Sequence, residues 1–99
     1  MAISTRPPPS SERCLRIAAA LSDVYTVTRV ELSSDAEFMD HEIVLTHGLS
    51  VQVPTDDNER PVLVAKKKGG AITFRSSRVS EHALRTLINV ALAEREAEG

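Results

Sequence analysis

Ninety-nine residues, 41% of them hydrophobic, with a formal net charge of −2, describe one small globular domain around a single core. One cysteine, Cys14, excludes an internal disulfide and with it a stapled secreted framework. No tryptophan, one tyrosine and two phenylalanines make the core aliphatic and argue against a base-stacking surface.

The longest apolar run, Ile17–Leu21, is too short for a membrane span or a signal-peptide core, so no membrane association and a cytoplasmic location are expected. Charge is unevenly distributed. Glu31 to Glu59 holds eight acids and no Lys or Arg, while Arg60 to Arg85 holds seven bases and one acid, Glu81. The two windows, −8 and +6, either neutralise one another across adjacent strands or make a polar molecule that orients a charged partner.

Residues 1–9 read as a flexible proline-rich arm, with Pro7-Pro8-Pro9 in polyproline II ahead of a single domain over 10–99. Ser10 or Ser11 caps a first helix that runs to about Leu21 or Ser22, with the proline run kept outside it. Cys14, Ile17, Ala18 and Leu21 share its apolar face, and Glu12, Arg13 and Arg16 point outward. Val24 to Leu32 is rich in β-branched residues and reads as a strand, with Val24, Thr26, Thr28, Val30 and Leu32 facing the core. Ser33 to His41 is an acidic break in which Phe38 and Met39 can plug the sheet edge.

Glu42 to Val53 has apolar residues at alternate positions, suiting either one long bent strand or a hairpin about His47-Gly48. The hairpin is preferred because twelve residues exceed a usual strand, and it would pair Val44 with Val51 and Thr46 with Leu49. A polar loop over 54–60 leads to a strand from Pro61 to Lys66. Lys66-Lys67-Lys68-Gly69-Gly70 then forms a hairpin connection, and Ala71–Arg75 returns as the last strand.

Ser80 is a helix N-cap with Glu81 in the first turn, and Leu84, Leu87, Ile88, Ala91 and Leu92 form the stripe of a long final helix. Its large residues Leu84, Leu87, Ile88 and Leu92 are expected in the core. Ala83, Val90, Ala93 and Ala97 make a weaker second face. The fold class is therefore α+β: an antiparallel sheet of four or five strands with an N-terminal and a C-terminal helix.

Chemistry is hard to find. Asp35, Glu37, Asp40, His41 and Glu42 resemble a metal-ligand set in composition, but no zinc or EF-hand spacing is present. The Asp56-Asp57-Asn58-Glu59 run lacks alternating ligands and a central glycine. Ser76, Ser77 and Ser80 lie near His82 without nucleophile-elbow glycines. No catalytic residue, metal or cofactor is assigned.

The sequence points instead to a small non-enzymatic protein–protein interaction module of inhibitor, adaptor or chaperone type. Asp35, Glu37, Asp40 and Glu42 are the candidate partner-binding residues. A homodimer through the second helix face or an edge strand is also consistent.

The alternative is binding to a nucleic-acid backbone through Lys66, Lys67, Lys68, Arg75, Arg78 and Arg85. Helix, antiparallel strands, helix is broadly the element order of double-stranded-RNA-binding domains. Their last helix has a basic start, whereas this one begins Ser80-Glu81-His82.

Overall fold

A computed structural model describes residues 9–33, 40–56 and 58–98. The order is α1 (Pro9–Ser22), β1 (Arg29–Glu31), β2 (His41–Val44), β3 (Leu49–Val53), β4 (Val62–Lys66), β5 (Ile72–Arg75) and α2 (Glu81–Glu98). The strands form one antiparallel sheet in sequential order, β1-β2-β3-β4-β5. The α+β expectation holds, with five strands. Residues 1–8, Asp35, Glu37 and the proposed Phe38–Met39 plug lie outside the described residues.

Helix α1 starts at Pro9, earlier than the expected cap at Ser10 or Ser11. Proline's fixed φ and missing N–H suit a first helical turn, so the last residue of the proline run joins the helix. Cys14, Ile17, Ala18 and Leu21 are buried as expected. Arg13 does not point away. Its guanidinium donates to the carbonyls of Glu59, Pro54 and Asp56 at 2.7, 2.9 and 3.1 Å, clamping the 54–59 loop against α1. Burial pushes the Cys14 thiol up to about 11, against the lowering influence of Arg13, so it stays a protonated core residue.

The expected strand over Val24–Leu32 is much shorter. The N–H groups of Val24 and Tyr25 close the end of α1 on the Leu21 carbonyl, and pairing begins only when Thr28 N–H meets the Val44 carbonyl. Val24 is 61% exposed and Leu32 48%, whereas Tyr25, Val27 and Val30 pack on the core.

The β2–β3 hairpin turns at His47-Gly48 with both residues at positive φ, 60° and 75°. Its register departs from the simple two-residue expectation. Val44 pairs with Ser50, and Ile43 with Val51. Both Leu45 and Thr46 bond Leu49, since Leu45 N–H donates to the Leu49 carbonyl and Leu49 N–H to the Thr46 carbonyl. Two residues thus oppose one, which is a β-bulge. The reason is parity. A regular two-residue turn pairs odd positions with even ones and would put Ile43 and Val51 on opposite faces. The one-residue slip places Ile43, Leu45, Leu49, Val51 and Val53 together, and all are buried.

The two helices share this face. Helix α1 lies over β2 and α2 over β4, and the core joins Cys14, Ile17 and Leu21 to Ile43, Val51, Leu63, Leu84 and Ile88. Ser80 caps α2 as expected, accepting from Ala83 N–H at 3.2 Å. Leu84 and Ile88 are fully buried, but Leu87 and Leu92 are only partly so. Arg16 of α1 reaches both carboxylate oxygens of Glu81 at the start of α2, and in the segment after α1 the Tyr25 hydroxyl donates to Asn89 Oδ1 at 2.6 Å.

Two predictions follow from this packing. A methyl group at Gly48 would collide with the Lys66 carbonyl oxygen, and the residue's φ is unfavourable for any L side chain. Gly48→Ala should cost at least ~2 kcal/mol in urea unfolding.

The second concerns His41, which is 2% exposed. Its Nδ1 accepts from Ser33 N–H at 2.8 Å, fixing the neutral ring's proton on Nε2, which is buried with no partner among the described residues. Burial lowers its pKa below 6.5, helped by Arg13 and opposed by Asp40. Both states are neutral above 6.5; below it the unfolded chain takes the proton first, so stability falls until pH passes the folded value. Urea midpoints from pH 7.5 to 5.5 should decline more in the parent than in His41→Gln. Parallel declines would refute this.

Candidate docking surface beside the last strand

β5 is an edge strand, and all four of its residues are exposed. Phe74 pairs with Ala65, a core-facing position, yet remains 51% exposed, since α2 lies chiefly over β4. Across from it, Val90 on α2 is also 51% exposed and Leu87 is half-buried. These residues border a hollow of about 480 Å³ whose floor is Leu49, Leu63 and Ala65 and whose far end carries Glu94 and Arg95. A second hollow of about 510 Å³ lies on the other side of Phe74, walled by Val79, Ala83, Thr86 and Leu87. Ala83 and Val90, read from the sequence as a weaker second helix face, thus border an open trough with an aromatic ring at its centre.

The candidate acidic residues fare differently. Asp35 and Glu37 are outside the described residues, and Asp40 is half-buried beside His41. Glu42 is half-buried on the sheet face away from the helices, where Lys66 Nζ meets its carboxylate at 2.7 Å. Burial alone would raise the Glu42 pKa, but hydrogen bonds from Lys66 and Ser50, with the charges of Lys66 and Arg29, hold it below the usual carboxylate value. So the acidic and basic windows meet at this pair. Arg29 likewise reaches Glu31 at 2.7 Å.

The six candidate phosphate contacts do not form one cluster. Lys66 is paired with Glu42, and Arg78 donates to the Arg60 carbonyl. Arg85 borders the cleft between α1 and α2, on the flank of α2 away from Phe74. Lys67, Lys68 and Arg75 are exposed near β5 with no ion pair among the described residues.

Ser76 Oγ accepts from Leu63 N–H and donates to the Ser77 carbonyl, and Ser80 caps α2, so the hydroxyls nearest His82 in sequence serve the backbone. Among the described residues no three potential metal ligands converge. Asp56 is engaged in the 54–59 loop, where its carboxylate accepts from Asn58 N–H. No helix among the described residues is long and apolar enough to cross a membrane. Nothing local in the sequence assigns Phe74 to the core or to the surface; the one signal for the trough is the weak second face of α2.

If the trough is a surface and not core, its residues are dispensable for folding. Val90→Asn should change unfolding free energy by less than ~1 kcal/mol, whereas Ile88→Asn, at a fully buried position, should leave no cooperative transition. A comparable loss from Val90→Asn would place that side chain in the core.

Comparison with protein-family models, curated proteins and solved structures finds no match to this chain.

Proposed function

We propose that this chain is a non-enzymatic protein-docking module that receives its partner on the open side formed by β5 and α2. The observation that carries the reading is an apolar patch, exposed Phe74 and Val90 with the partly buried Leu87 between them, lying beside an unpaired strand edge. Exposed apolar area bordered by polar groups marks interaction sites more often than solvent surface. A cytoplasmic setting is part of this reading, since a lone cysteine forms no internal disulfide.

The acidic segment contributes less to this reading than the sequence suggested. Glu42 has its charge matched internally by Lys66, so it has less to offer a partner. Inhibitor, adaptor and chaperone roles all fit a surface of this kind.

The test is site-specific photo-crosslinking in the native cells. A photoreactive phenylalanine analogue replaces Phe74 or, as a control, Glu12 on the exposed side of α1. A protease-sensitive adduct specific to position 74 is expected. Equal adducts at both positions, or an adduct removed by nuclease, would defeat the docking reading, the latter in favour of nucleic-acid binding.

A further inference from the structure

The docking reading leaves the partner's chemistry open, and the strand edge supplies it. Ser76 N–H donates inward to the Leu63 carbonyl, so by antiparallel alternation the N–H and C=O of Arg75 face outward. No strand flanks them among the described residues. Such an edge can hydrogen-bond an added strand.

The charge along that edge has one sign. Lys67 and Lys68 stand at its hairpin end, Arg75 lies within it and Arg78 follows it, while the sequence between Glu59 and Glu81 contains no acid. A second copy pairing edge to edge about a two-fold axis would bring the same cations against them, which opposes self-pairing. An acidic strand meets complementary charge instead.

The helix-side surface adds a spacing rule. Both hollows share Phe74 and Leu87 as walls and lie on either side of the ring. In a strand, residues i and i+2 point to the same face about 6.8 Å apart. Directly opposed residues share a face, so in a ladder bonded at Arg75 two side chains separated by one residue would lie opposite Phe74 and Ser76, the first beside the ring and the second at the rim of the second hollow.

We propose that β5 accepts an extended acidic segment of a partner protein as a sixth strand, with two apolar side chains, spaced i and i+2, on the helix side of the sheet opposite Phe74 and Ser76. This rests on the docking reading above and specifies its ligand class.

The test is selection of a random twelve-residue peptide library on the immobilised full chain, followed by fluorescence polarisation of labelled winners. Enriched peptides should carry apolar-x-apolar with Asp or Glu on both flanks. Their affinity should fall at least ~10-fold in Val90→Glu and in Arg75→Glu, and vanish when the central residue is replaced by proline, which cannot join a strand ladder. Hydrogen exchange should show new protection at the Arg75 amide. Phe74→Ser serves as a second trough variant, and circular dichroism verifies that each variant is folded.

Winners that lose affinity in Val90→Glu and Phe74→Ser but lack acids would overturn the acidic-strand proposal and leave the docking surface standing. Winners insensitive to both trough variants would remove the proposal and the docking reading together. A dimer in sedimentation that Val90→Glu dissociates, displacement of the peptide by single-stranded oligonucleotide, or no enrichment at all would each overturn the proposal.

Discussion

Everything in the sheet depends on which way the side chains of one hairpin point. Ile43 and Leu45 on one arm must share a face with Leu49, Val51 and Val53 on the other, because together they are the floor on which both helices rest. A regular two-residue turn cannot deliver that arrangement. The chain resolves the conflict with a bulge at Leu45–Thr46 and with a glycine that lets the Lys66 carbonyl come close. Lys66 N–H in turn donates to the Gly48 carbonyl at 2.7 Å, so the correction of register in one hairpin is coupled to the attachment of the next strand.

The second constraint is lateral. Two helices cover five strands, and the links between them decide which strands are covered. Arg16 to Glu81 and Tyr25 to Asn89 hold α2 close to α1. The exposed ion pair adds little stability, but it fixes geometry together with the shorter tyrosine hydrogen bond. With α2 lying chiefly over β4, β5 is left exposed at the sheet edge. The open trough follows from α2 lying chiefly over β4, inboard of the edge strand, which leaves Phe74 half exposed.

Much of the architecture was legible because periodicity reports burial directly. The α1 stripe, the Ser80 cap, the His47-Gly48 turn and the glycine connection at Gly69-Gly70 all follow from local residue chemistry. What was illegible is relational. Nothing local tells that Val24 and Tyr25 finish a helix instead of starting a strand, since both are good strand formers. The direction of Arg13 depends on a loop more than forty residues away. Leu87 and Phe74 both have core-like identities, yet Leu87 is only partly buried and Phe74 is half exposed, because α2 lies chiefly over β4. The charge segregation was plain in the sequence, but that Lys66 would meet Glu42 while Lys67 and Lys68 stayed outside could not be read from counting charges.

The sequential strand order also has a temporal side. Each strand pairs with the one made just before it, so loop closures are short and the sheet can assemble by successive hairpins. Helix α1 is the exception. Its apolar face rests against β2 and the hairpin floor, which is completed only at Val53. At ~5–20 residues per second of translation, α1 therefore waits a few seconds with Ile17 and Leu21 uncovered. A short, alanine-rich helix with few large apolar side chains is well suited to that interval, because it offers little for a neighbouring nascent chain to adhere to.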